Sequence, residues 1–224
     1  MKERHIPMNA LLGLSFGLFI GALYLVFIYV PTEATMGIVQ RVFYFHVPVA
    51  WVAFLAFFIV FLCSIMFLWK RDNKWDAIAT SSAEVGVVFT TLVLITGSIW
   101  ARPIWGVWWA WEPRLTTALV LWLIYVAYLI IRPFAGEESR GARFAAVIGI
   151  VGFIDVPIVA LAISLWRTQH PGPVIFQGGL APEMLLTLII CIATFTSLYA
   201  ILMIQRIAMK NDEREVRRLK ELCD

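Results

Sequence analysis

The sequence predicts an all-α integral membrane protein with six transmembrane helices, both termini cytoplasmic, and a tryptophan-rich outer loop between helices 3 and 4. Three observations carry that prediction. The 224 residues are 61% hydrophobic and 15% charged, against roughly half and a quarter in a soluble domain. The excess is gathered into long uncharged runs, each close to the ~20 residues that cross a bilayer. The basic residues crowd into every second connection between those runs.

The first run, Met8–Val30, has no small-residue cleavage site behind it, so it reads as a retained span rather than a signal peptide. The next five are Phe43–Trp69, Ala79–Trp100, Leu115–Ile131, Phe144–Trp166 and Met184–Ile204. The breaks between them hold charge or helix breakers: VPTEATMG, KRDNKWD, ARPIWG…WEPR, RPFAGEESRGAR and RTQHPGPVIFQGGLAPE. Residues 1–206 form one membrane domain by this reading. Residues 207–224 form a charged cytoplasmic tail, expected as a short solvated helical extension.

Six spans put both ends of the chain on one side. Fourteen basic residues then share that side: Lys2, Arg4, Lys70, Arg71, Lys74, Arg132, Arg140, Arg143, Arg206, Lys210, Arg214, Arg217, Arg218 and Lys220. Only Arg41, Arg102, Arg114 and Arg167 face the other way. The positive-inside rule makes the crowded side cytoplasmic. The outer connections are residues 31–42, 101–114 and 167–183.

Several function classes are excluded. The three cysteines, Cys63, Cys191 and Cys223, form no CxxC pair and no zinc spacing. There is no P-loop, GxGxxG or GxSxG. A net charge of +3 gives no argument for nucleic acid.

The outer face collects chemistry instead. WGVWWAWEPRLT, Trp105–Thr116, holds four tryptophans in seven residues. Trp105, Trp108, Trp109 and Glu112 fall at i, i+3, i+4 and i+7, which on a short interfacial helix makes one face. Such a cluster is either an interfacial anchor, as tryptophan belts are, or a platform for a flat ligand. Trp51, Trp69, Trp75, Trp100, Trp122 and Trp166 need only belt or packing roles. His46, in RVFYFHVPVAW, ends the second span on this face, and His170, in WRTQHPGP, follows the fifth. A histidine at a helix end is either a structural hydrogen-bonder or a metal ligand. Arg41, Arg102 and Arg114 lie beside these motifs and are either interface residues or partners for carboxylates. Haem fits the combination: its iron takes axial imidazoles, its propionates take arginine, and its macrocycle takes aromatic faces.

RVFYFHVPVAW, WGVWWAWEPRLT and SLWRTQHPGP resemble the three signatures of the CcmC family, haem-handling membrane proteins of cytochrome c maturation with a tryptophan-rich motif. The likeness runs from about Met8 to Ile204. It implies a protein of the bacterial inner membrane that is not an enzyme. It implies haem b, bound transiently and non-covalently at the extracytoplasmic face, with His46 and His170 as axial ligands of the iron. Trp105, Trp108, Trp109 and Trp111 are then the platform, with Glu112 orienting it or docking a partner, and Arg41 or Arg114 pairing with propionates. The implied recipient is the periplasmic chaperone CcmE, and the implied partners are CcmA, CcmB and CcmD, with ATP hydrolysis in CcmA. The chain departs from the family at Glu112, where the motif usually ends in aspartate; the charge is kept and the reach is longer.

The alternative is a b-type cytochrome subunit that carries electrons through a retained haem. Such subunits place histidines mid-span, and here they lie at span ends. A transporter wants polar residues along a midplane path, and only Asp155 qualifies. The related haem channel of the other cytochrome c assembly system needs more spans and core histidines. Asp155 itself is expected to stay protonated or to satisfy backbone groups freed by Pro157. Glu84 is expected to meet water or Lys74, and Glu183 to favour the start of the sixth helix.

Overall fold

Long apolar runs that cross lipid satisfy their backbone as helices, and the computed structural model is built accordingly. It describes residues 8–134, 138–166 and 179–223. Helix α1 (Met8–Tyr24) continues into a π-helical turn, Leu25–Tyr29. A 3₁₀ turn, Ile38–Val42, leads into α2 (Phe43–Lys70). Then follow α3 (Asn73–Trp105), α4 (Pro113–Phe134), α5 (Glu138–Gly152), α6 (Asp155–Leu165) and α7 (Pro182–Cys223). Among the described residues there are six helical segments long and apolar enough to cross a membrane, with α5 and α6 together making the fifth.

The expected fifth span, Phe144–Trp166, is therefore broken, at Phe153–Ile154. Pro157 is the cause. It has no N–H to give the Phe153 carbonyl, and its ring collides with that turn. The chain bridges the gap with tighter bonds, Ile154 N–H to Val151 O at 3.1 Å and Val156 N–H to Phe153 O at 3.1 Å. Asp155 opens α6, half-buried. Its Oδ2 makes no hydrogen bond among the described residues, so that oxygen does not serve the freed backbone.

The α2–α3 hairpin is the spine of the bundle. Arg71 takes the left-handed conformation (φ 55°) that ends α2, and Asp72 caps α3 by accepting the Lys74 N–H at 3.0 Å. That backbone N–H and the Lys74 ammonium hold the Asp72 carboxyl below its ordinary range. Midway, Gly86 of α3 lies against Phe57 of α2, which is wholly buried and stacked on Tyr125 of α4 at 3.7 Å between ring centroids. A Cβ on Gly86 would stand 2.6 Å from Phe57 Cε1. Gly86→Ala is therefore expected to destabilise the protein by about 1 kcal/mol net. Overpacking costs roughly 1–3 kcal/mol, and the better helix propensity of alanine returns about 1. Thermal unfolding in detergent measures it, and a raised midpoint would contradict this packing.

The third side of the bundle is α7. Ser82 donates to Ala56 O at 2.7 Å and lies 2.8 Å from the Tyr199 hydroxyl, tying α2, α3 and α7 together. Helix α7 runs unbroken past residue 206, and its charged end lies against the start of α3. Arg214 donates to Asn73 O at 2.8 Å and to Asp76 at 3.2 Å. Arg206 pairs with Glu84, and Lys210 Nζ lies 3.1 Å from the same carboxylate. Two expectations are corrected here. Glu84 meets Arg206 and Lys210, while Lys74 pairs with Asp72 at 3.0 Å. The tail is not only a solvated extension, because Arg206, Lys210 and Arg214, four apart on α7, face α3 and find its two carboxylates.

Candidate functional site

His46 lies in the first turn of α2, at the end of the bundle opposite the Asp76 and Glu84 ion pairs. It is buried, with 8% of its surface exposed. Three residues of α3 enclose it. Thr96 Oγ1 lies 2.8 Å from Nδ1, the Trp100 ring meets the imidazole edge-on at 5.8 Å, and Gly97 lets the ring come close. A Cβ on Gly97 would lie 3.2 Å from His46 Cε1.

A cleft opens beside the imidazole. His46, Trp100, Trp105, Trp109 and Arg114 line it, and Phe54, Val93, Leu121 and Val159 are among its apolar walls. It holds about 70 Å³ of space open to a water-sized sphere, a narrow opening smaller than the roughly 300–1,000 Å³ of a closed small-molecule pocket. The buried indole nitrogens of Trp100 and Trp109 make no hydrogen bond among the described residues. Buried N–H groups ordinarily have a partner, so two donors left over beside a cleft fit a ligand with acceptor oxygens at its rim.

The tryptophan segment is not the short helix its spacing suggests. Helix α3 runs on to Trp105, past the expected boundary at Trp100, and Gly106 ends it with φ 78° and its N–H on Arg102 O at 3.0 Å. Pro113 begins α4 and disfavours helix at Glu112. The residues between, 106–112, are irregular, bounded by the left-handed Gly106 and by the proline. Trp105 and Trp109 thus line the cleft, while Trp108 (60% exposed) and Trp111 (76% exposed) project outward. Trp109 and Trp111 meet edge to face, with centroids 5.6 Å apart.

The candidate arginines separate. Arg114, half-buried, lines the cleft with Glu112 near it in sequence. Arg41 donates to the Phe27 carbonyl at 2.7 Å, and Arg102 donates to Gly106 O. Both serve helix ends, and neither lines the cleft. Arg167 and His170 lie outside the described residues.

Thr96, Gly97 and Trp100 carry no motif, and Trp100 was assigned only a belt or packing role from sequence. Their signal is the string TGSIW at the outer end of an apolar helix. Among the described residues no group of three His, Cys, Asp or Glu side chains could hold a bare metal ion. The arrangement offers instead one imidazole, indole walls and a guanidinium, which suits a flat, anionic, metal-bearing ligand.

The chain is similar to known proteins along most of its length. A family model described as Heme exporter protein C matches residues 1–222. A Heme exporter protein C of Bradyrhizobium diazoefficiens is 35% identical over 195 residues, covering 85% of this chain and 73% of the relative. One from Rhodobacter capsulatus is 30% identical over 200 residues, covering 88% and 81%. A mitochondrial protein of Marchantia polymorpha, named as ccmC-like in cytochrome c biosynthesis, is 30% identical over 196 residues, covering 87% and 83%.

Proposed function

The chain belongs to the heme exporter protein C family, and from that premise we propose that it displays haem b in the His46 cleft and delivers it to the periplasmic chaperone CcmE during cytochrome c maturation. One observation carries the reading: His46, from one motif, and Trp105, Trp109 and Arg114, from a second some sixty residues on, line a single cleft.

Each residue has a task. His46 supplies one axial nitrogen to the iron, and His170 supplies the second. Trp105 and Trp109 cover the macrocycle without covalent attachment. Arg114 takes a propionate, which two N–H groups of a guanidinium can hold in parallel; Arg41, occupied by Phe27 O, is the weaker candidate. Glu112 stands two residues from Arg114 and holds or orients the platform. Trp108 and Trp111, exposed beside the cleft, make the surface that CcmE meets. A cleft at a bundle end suits a cargo that must leave, since no pair of core helices has to part. Iron, when bound, supplies only the ligation that holds the cargo; no bond of the haem is made or broken by this chain.

The alternating basic residues support an extracytoplasmic position for the cleft. CcmA, CcmB and CcmD are the membrane partners of this reading, with ATP used by CcmA. The test is a visible spectrum of protein purified from a haem-sufficient host, followed by mixing with CcmE. His170→Ala is expected to lower haem content. Trp108→Ala with Trp111→Ala is expected to leave haem content near wild type and weaken the haem-dependent complex with CcmE. Haem that changes redox state and never leaves would favour the b-type cytochrome reading instead.

A further inference from the structure

Thr96 has one hydroxyl proton and two close neighbours, with the Val93 carbonyl farther off at 3.4 Å. Its Oγ1 lies 2.7 Å from the Leu92 carbonyl oxygen, four residues back on its own helix, and 2.8 Å from His46 Nδ1. A carbonyl can only accept. The hydroxyl proton therefore belongs to Leu92, since two oxygens at 2.7 Å with no proton between them would repel. Nδ1 of His46 must then donate to Thr96. In the neutral imidazole that leaves the lone pair on Nε2.

The molecule repeats this arrangement twice where the donor is unambiguous. Thr91 donates to Val87 O at 2.8 Å and accepts the Trp122 indole N–H at 2.9 Å. Thr196 donates to Ile192 O at 2.7 Å and accepts the Trp51 indole N–H at 3.2 Å. An indole nitrogen only donates. In all three places a helical threonine turns its proton back along its own helix and offers a lone pair to a ring N–H of the next. His46 occupies the place that tryptophan holds in the other two.

From this we infer that Thr96 is the positioning residue for His46: it fixes the Nδ1–H tautomer and commits Nε2 to the cargo's iron, with Gly97 providing the space for the ring to reach it. The inference rests on the reading that His46 is a ligand. It also predicts a moderate grip. Metal-bound histidines commonly give their other N–H to a carboxylate or a carbonyl, which strengthens them as donors. A neutral hydroxyl draws less on the N–H, so the imidazole binds iron less firmly, as suits a protein that must release what it holds.

The test uses the full chain in detergent, freed of haem and labelled with ¹⁵N-histidine, at a pH where His46 is neutral. Nitrogen shifts are expected to show the Nδ1–H tautomer in wild type and Thr96→Ser, and a mixture in Thr96→Val, which removes the acceptor without changing shape. Hemin affinity is expected to fall about tenfold or more in Thr96→Val, the range found for lost outer partners of metal ligands, and to stay within about twofold of wild type in Thr96→Ser. An Nε2–H tautomer in wild type overturns the inference, and that result needs no variant to fold. So does a Thr96→Val protein with unchanged tautomer and unchanged affinity, provided His46→Ala has lost hemin. If His46→Ala binds hemin as wild type does, it is the ligand reading that has failed.

Discussion

Alanine at His46 is expected to leave the purified protein almost without haem, with affinity for added hemin reduced by more than about 100-fold. Loss of a partner in the outer shell of a metal site costs roughly 10–100-fold, and loss of the ligand itself must exceed that. The fold should survive. The hydrogen bond of His46 to Thr96 is worth about 1 kcal/mol net, and the space left by the ring adjoins an existing cleft. That proximity provides a control. Free imidazole can enter the gap, and millimolar imidazole is expected to restore much of the haem absorbance to His46→Ala but not to Thr96→Val. A protein that had merely collapsed would not respond. Full haem content in His46→Ala without imidazole would end the ligand assignment.

The second large effect lies at the other end of the bundle. Asp76 is 4% exposed, and its carboxylate accepts from Arg132 Nη2 at 2.7 and 2.6 Å and from Arg214 Nη2 at 3.2 Å. Asp76→Ala removes the negative charge between two largely buried guanidinium groups, whose side chains are 18% and 26% exposed. Removing one partner of a buried pair costs roughly 3–5 kcal/mol. The lower end applies, because Arg214 keeps its bond to Asn73 O. Asp76→Asn should fall between, keeping an acceptor without the charge. Replacing Asp76, Arg132 and Arg214 together by leucine should recover much of the loss, since apolar substitutes for a buried ion pair are often neutral. Unfolding midpoints in detergent measure the series. Equal midpoints for wild type and Asp76→Ala would mean that water reaches this cluster freely.

How far the sequence could be read depends on where each decision is made. The six spans are decided locally, by runs of apolar residues long enough for lipid, and they appear in the fold as expected. The cleft residues His46, Trp105, Trp109 and Arg114 could be chosen because rare residue types crowd the same end of the bundle. Helix ends are decided by single bonds. The fifth span breaks at Phe153, four residues before the proline responsible, whereas α3 contains Pro103 and runs two residues past it, to Trp105. The helical spacing of Trp105, Trp108, Trp109 and Glu112 misled because Gly106 reverses the backbone between the first and the rest. The contact of Thr96 with His46 joins residues fifty apart in sequence. It depends on how α2 and α3 are rotated about their axes, and no local pattern states that. The same is true of Glu84 and Arg206, separated by 122 residues.

Helix α3 carries Asp76 near one end and Thr96 near the other, with no proline between them. Twenty residues of helix span roughly 30 Å, about the hydrocarbon thickness of a bilayer. The anchor and the residue that aims the imidazole are thus fixed to one rigid shaft crossing the membrane. A screw motion applied to the anchored end would arrive at His46 as a turn of its hydrogen-bond acceptor, with no joint in between to absorb it.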